Sequence, residues 1–170
     1  PDILIWTAPI RTLLLLLGLP PFDLRYLSAI CYNIEINGKV ERDYQWCYYG
    51  QSDIIFNRIS IPKTFSSDNA PEGKTGLNVE ITCMQGDEIW RYPEALVEAI
   101  KDDLIRVKLV RRYGDIGPVH IERIPNVYPI YTLDYKEKLF KATEEIGRFQ
   151  NLILLGRTGT FWYNNMDHSI

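Results

Sequence analysis

The sequence has little of what self-contained chemistry usually rests on. Of its 170 residues only three are cysteine and two are histidine. Cys31, Cys47 and Cys83 are odd in number, widely spaced and set among strand-like residues, and neither histidine lies at ligand spacing from one. They give no zinc signal and no disulfide framework, so free thiols in a reducing compartment are expected. Long apolar runs are missing too. The longest, Leu13 to Leu17, stops at Gly18 and Pro20-Pro21, far short of the roughly 20 residues that span a bilayer. Nor is there an excess of positive charge: 19 Lys and Arg against 22 Asp and Glu leave a net charge of -3. Nucleic acid and an anionic membrane surface are therefore poor partners. No Ser-His-Asp set, P-loop or G-x-G-x-x-G is present. The basic stretch and cleavage site of a signal peptide are absent, as is an initiator Met, so a chain starting at Pro1-Asp2 reads as a cytoplasmic piece of something longer.

What is present is ordinary globular composition, 46% hydrophobic and 24% charged, enough for one real core. Ile3 to Trp6 reads as a short buried strand, followed by a helix with Pro9 in its first turn. Tyr26, Ile30, Tyr32, Ile34 and Ile36 then alternate as one face of a strand, and Asn37-Gly38 supplies a tight hairpin turn into a return strand carrying Tyr44, Trp46 and Tyr48. That aromatic stripe suits a sugar- or base-stacking platform, but sheet packing is the commoner use and it is read as core. Asn57 to Ile61 and Leu77 to Cys83 alternate again. Leu96, Val97, Ile100 and Leu104 form a helical stripe behind Pro93. Val119 and Ile121 suggest a strand, with His120 pointing away from the core. A further helix is expected from Asp134, capped in a box with Glu137 and carrying Tyr135, Leu139, Ala142, Ile146 and Phe149. Leu152 to Leu155 reads as a strand buried on both faces. The expected fold is α+β: a mostly antiparallel sheet with packed helices, plus two terminal strands belonging to a different, parallel sheet.

The last stretch, Gly-Arg-Thr-Gly-Thr-Phe-Trp-Tyr-Asn-Asn-Met-Asp-His-Ser-Ile from Gly156, holds the residues able to do chemistry. Gly156 would let backbone or ligand come close, and Arg157 offers a fork for a phosphate or carboxylate. A helix start at Asn164, with Asp167 in its first turn, would aim free amides at an anionic group. His168 fits a capping or surface role. The cluster Lys108, Arg111 and Arg112 reads as a solvated face.

This tail resembles the C-terminal signature of UDP-galactopyranose mutases and their relatives in the FAD-dependent amine oxidase and protoporphyrinogen oxidase superfamily. Asn-Val-Tyr-Pro-Ile-Tyr, around Tyr128, resembles the same enzymes' Tyr-Pro-Ile segment, and Ile-Leu-Ile-Trp-Thr-Ala-Pro-Ile resembles the strand by which their chains leave the FAD domain. The resemblance implies that Tyr128, Arg157 and Tyr163 face the substrate, where mutases hold the diphosphate of a nucleotide sugar. It implies that Gly156, Arg157, Asn164, Asn165 and Met166 border FAD, the cofactor of the full-length protein. No metal site and no catalytic side chain are assigned. Two departures stand out: Asn165 replaces an aspartate, and Trp162 a residue usually basic in mutases.

The implied organisation is a strand and helix leaving the FAD domain (1-24), a substrate-binding domain (25-150) and a strand and helix start returning to the FAD domain (151-170). The terminal strands would belong to a Rossmann-like FAD domain outside this sequence. The implied function is the substrate-binding portion of an FAD-dependent oxidoreductase or mutase-like flavoenzyme in polysaccharide biosynthesis, inactive alone. Its partner would be a small-molecule substrate, a nucleotide sugar or similar metabolite, with self-association through the exposed terminal strands. The alternative is a non-catalytic nucleotide-sugar or protein-binding module that kept the fold and lost the flavin.

Overall fold

A computed structural model describes residues 2–169; Pro1 and Ile170, where the sequence suggests cut ends, lie outside the described residues. In chain order the elements are β1 (Leu4–Trp6), α1 (Ile10–Leu16), β2 (Tyr26–Asn37), β3 (Trp46–Tyr48), β4 (Arg58–Ser60), β5 (Lys74–Cys83), α2 (Glu88–Arg91), α3 (Val97–Arg106), β6 (Ile116–Pro129), α4 (Tyr135–Ile146), β7 (Leu152–Leu154) and α5 (Gly156–Gly159), with short 3-10 turns between. They group into two units. One gathers the chain's two ends, up to Leu27 and from Pro125 onward; the other is Ser28–Ile124. The class is α+β, as the patterning predicts. No helix among the described residues is long and apolar enough to cross a membrane.

In the middle unit the sheet runs β3-β4-β5-β2-β6. Period-two alternation decides which side is buried. Register partners Cys47, Ile59, Val79 and Tyr32 form a row across four strands, and Ile59, Val79 and Tyr32 are 0% exposed. They pack with Ile30, Leu77, Ile81 and the α3 residues Ile100 and Leu104, in one cluster. Each such aliphatic side chain removed from water stabilises the fold by about 1.5–3 kcal/mol. The neighbouring row, Trp46, Ser60, Asn78 and Asn33, stands on the opposite, polar face. There Arg58 Nη2 lies 2.5 Å from Glu80 Oε2.

Two expectations fail in this unit. Asn37-Gly38 does not turn β2 back into a hairpin with residues 44–48. Gly38 donates its N–H to Gly73 C=O at 2.7 Å, so the glycine continues the β2–β5 ladder, which pairs Asn37 with Lys74. A ten-residue register with matched alternation on β5 outcompetes a three-residue partner on β3. Nor is the aromatic stripe core beyond Tyr44, which packs against the cluster: Trp46 is 51% and Tyr48 62% exposed. The register makes Cys47 the inward residue of β3, because it pairs with buried Ile59.

The unit formed by the chain ends is built on α1 and α4. Ile10, Leu13 and Leu14 pack with Leu24, Tyr26, Ala142, Ile146 and Phe161. Pro9 is the N-cap of α1, one position ahead of its first turn. The capping box at Asp134 does not form. Asp134 has φ -99° and ψ 8°, away from the extended geometry of a cap, and its carboxylate accepts the Thr132 hydroxyl and pairs with Lys138 instead. Glu137 pairs with Lys141. Phe149 falls beyond the helix and is 40% exposed. β1 and β7 form a separate two-stranded parallel sheet, Leu4 to Leu152 through Trp6 to Leu154. Read as buried, these strands are open in this chain: Ile5 is 56% and Ile153 44% exposed, because two three-residue strands cannot cover each other's faces.

Candidate functional site

The tail is fixed to β1 by backbone bonds. Leu155 N–H donates to Trp6 C=O at 2.9 Å, and the Thr158 hydroxyl donates to Thr7 C=O at 2.7 Å. Tyr26 ties the same turn to α1: its hydroxyl donates to Thr158 C=O at 2.7 Å and accepts Ile10 N–H at 3.3 Å. Burial pushes the Tyr26 hydroxyl well above the usual tyrosine range, which keeps it a proton donor here.

Two glycines make this geometry accessible, in roles different from those the sequence suggests. Gly156 has φ +73°, the left-handed region that favours glycine, while the nearest atom to an added Cβ would be 3.9 Å away. The close approach is at Gly159, where an added Cβ would lie 2.6 Å from Trp6 C=O. The tail continues as α5, four residues long, so Arg157 leaves from its first turn.

Arg157 then meets both tyrosines predicted to accompany it. Its guanidinium carbon lies 4.6 Å from the Tyr163 ring centroid and 5.6 Å from that of Tyr128. The two rings are 5.7 Å apart and tilted by 42°. Nε and Nη2 donate to Asn164 C=O at 3.1 and 2.5 Å, which fixes the orientation of the guanidinium. A guanidinium held against two aromatic faces is preorganised and permanently charged, suited to grip an anionic group. Asn164 is 6% exposed, and its side-chain oxygen accepts the Ser169 hydroxyl at 3.3 Å. Arg157, Asn164, Asn165, Met166 and Ser169 line one cleft of about 430 Å³, with Met166 85% exposed. Gly156 is not among the residues lining it.

The helix start expected at Asn164 is a single 3-10 turn, Met166–His168, with Asn165 as its N-cap. Three residues do not align enough peptide dipoles to hold an anionic group. His168 Nδ1 accepts Asn165 N–H at 3.4 Å, a capping role. Tyr131 was missed from sequence, although its hydroxyl accepts Tyr163 N–H at 2.7 Å and so fixes where the Tyr163 ring stands. Its place two residues after Pro129 was the available signal. Among the described residues, no cluster of three His, Cys, Asp or Glu could hold a metal.

The sequence matches no protein-family model and no curated protein. Its fold is similar to that of solved structures. Reduced UDP-galactopyranose mutase superposes with a TM-score of 0.85 and 23% identity, over 99% of this chain and 38% of that one. A protein of Exiguobacterium sp. 255-15, provisionally described as a protoporphyrinogen oxidase, gives 0.66 at 15% identity, over 92% and 36%. PF1083 of Pyrococcus furiosus gives 0.56 at 12% identity, over 94% and 36%. The chain thus has the fold of part of these proteins and spans under two-fifths of their length.

Proposed function

We propose that this chain is the substrate-binding portion of an FAD-dependent flavoenzyme, a mutase or oxidoreductase acting on a nucleotide sugar or similar anionic metabolite. The observation that carries the reading is Arg157 held against both Tyr128 and Tyr163 at the rim of the cleft lined by Asn164, Asn165 and Met166. The similarity of fold to a UDP-galactopyranose mutase supports it.

The cleft residues fit one edge of a flavin. Exposed Met166 supplies an apolar surface, and Asn164 and Asn165 supply amide groups beside it. With no G-x-G-x-x-G in the 170 residues, the dinucleotide part of the cofactor would be held outside this chain. When bound, the flavin supplies the nucleophilic or hydride-accepting chemistry. Arg157 binds and neutralises the substrate's anionic group, the rings of Tyr128 and Tyr163 orient that cation, and Tyr131 fixes Tyr163. The proposed boundaries, 1-24, 25-150 and 151-170, assign the two ends to the FAD domain. There the open apolar faces of β1 and β7 would be covered by further strands.

The test is to express the longer protein containing this chain, record its flavin absorbance and titrate UDP-sugars. A flavin band is expected, together with binding that Arg157→Ala weakens about 10- to 100-fold, the worth of a charge-assisted hydrogen bond. Binding unchanged by Arg157→Ala would refute the site. A longer protein without flavin that still binds UDP-sugars would favour the non-catalytic module. The isolated chain should retain no FAD, and a yellow preparation would contradict the division of the cofactor site.

A further inference from the structure

The middle unit holds a cavity that shares no residue with the Arg157 cleft. It has a volume of about 550 Å³ and lies on the polar face of the sheet, lined by Asn33, Glu35, Lys74 and Gly76, by the loop at Asn69–Pro71, and by Pro118 and His120. Its size is in the range of small-ligand sites, roughly 300–1,000 Å³. Alternation explains the floor: Asn33 and Glu35 fall between core residues Tyr32, Ile34 and Ile36 and so stand on the opposite side. Gly76 is the register partner of Glu35, and a Cβ there would meet no heavy atom within 4 Å. Lack of a side chain at that one position keeps the floor open.

The wall is fixed. Asn69 donates to Pro62 C=O at 3.0 Å, and the Lys63 ammonium bonds Lys74 C=O at 2.7 Å and Pro71 C=O at 3.2 Å. Between Pro62 and Asn69, Phe65 lies flat against Trp46, at 6.1 Å and 12°. Trp46, read from sequence as core, thus props the loop that forms one wall of this open cavity.

The lining chemistry selects a ligand class. Lys74 Nζ is 2.5 Å from Glu35 Oε1, so the two charges cancel. A phosphate or carboxylate would find no uncompensated cation. No Phe, Tyr or Trp lines the cavity, so a planar nucleobase is disfavoured and any ligand would be held by hydrogen bonds and aliphatic C–H packing rather than by ring stacking. What remains is a set of polar side chains, Asn33, Asn69, Glu35, Lys74 and His120, set among the C–H surfaces of Pro62, Pro71, Pro118 and Val119. Each is bonded once within the chain, Asn33 to Asn78, Asn69 to Pro62, Glu35 and Lys74 to each other and His120 to Glu122, yet each has donor or acceptor positions left over. We propose that this cavity binds a neutral, hydroxyl-rich ligand, a pyranose unit, whose hydroxyls alternate with C–H patches in the same way. The site stands independently of the Arg157 reading.

Saturation-transfer NMR on the 170-residue chain, observed from the ligand, tests this and tolerates self-association. Methyl glucoside, methyl galactoside and N-acetylglucosamine are compared with UMP, glucuronate and glucosamine. The neutral sugars should receive saturation with roughly millimolar affinity, as expected for so small a ligand. Gly76→Val, which suits a strand and projects into the cavity, should weaken binding at least about tenfold with circular dichroism and melting unchanged. Asn33→Ala should weaken it by a similar factor through the lost hydrogen bond. No transfer to any neutral sugar, equal transfer in Gly76→Val, or tighter binding of the charged compounds would each overturn the proposal.

Discussion

Gly159→Ala tests whether the tail is held where the Arg157 cluster needs it. The added methyl would sit 2.6 Å from Trp6 C=O, with the Thr7 backbone at 3.3 and 3.5 Å. Those neighbours are main-chain atoms of β1 and its exit, paired through the Leu155-to-Trp6 and Thr158-to-Thr7 bonds, so none can swing aside. Either α5 lifts off β1 or β1 shifts, and forced overpacking of this kind costs about 2 to 3 kcal/mol. For a chain of this size that is a fall in melting temperature of roughly 4 to 12 °C. Gly156→Ala meets nothing closer than 3.9 Å and carries only the strain of its φ of +73°, about 1–2 kcal/mol. Gly114→Ala, with open space around it, should stay within about 0.5 kcal/mol of the parent. Calorimetry gives the three melting temperatures, and amide exchange at Leu155 reports loosening of the tail from β1. The predicted order of loss is Gly159, then Gly156, then Gly114. A Gly159→Ala protein melting with the Gly114 control, with Leu155 protection intact, would show that the close approach is not a constraint.

Two further outcomes follow from polar contacts. Asp103 is 4% exposed and accepts Ile55 N–H at 2.8 Å while pairing with Arg106. Asp103→Ala should cost about 1–3 kcal/mol in urea unfolding through the unmet Ile55 donor, whereas Asp102→Ala at the next position should cost little. The Lys138 ammonium hydrogen-bonded to Asp23 holds that carboxyl below its ordinary range, and the Thr132 hydroxyl together with Lys138 does the same for Asp134. Because the folded values are lowered, their stabilisation is complete above the unfolded carboxylate value near pH 4 and fades as pH falls through the folded values. Lys138→Ala should therefore flatten the acid limb of a stability-against-pH curve; an acid limb of undiminished slope would count against these pairs.

Much of the candidate site was legible because it lies in two short stretches with unusual chemistry. Tyr128 before Pro129, and Arg157 and Tyr163 in the glycine-punctuated tail, were singled out from residue type and resemblance, and the fold brings these three together. Tyr131 was not legible as a partner of Tyr163, because a tyrosine hydroxyl reaching a backbone N–H 32 residues away leaves no local pattern. Gly156 and Gly159 were visible, but which one needs the left-handed backbone and which one the missing Cβ depends on where Trp6 and Thr7 pass. The cavity beside Gly76 was invisible for the same reason: its walls come from four separate stretches.

The sequence by itself determined the α+β class, the strand faces built from Ile30, Tyr32, Ile34, Leu77 and Val79, the helical stripe of Ile100 and Leu104, and the separation of two apolar end strands from the antiparallel sheet; that those two strands pair with each other was decided by the tertiary structure. Period and composition are local, and the core requires only that apolar faces find one another. Tertiary structure alone decided that β2 pairs with β5 rather than turning back at Gly38, and that Trp46 faces outward while Cys47 faces in. It also decided that the tail holds a cation against two neighbouring rings instead of opening a helix. Those outcomes turn on competition between partners distant in the chain, where a longer register or a better-placed carbonyl wins over the nearest neighbour.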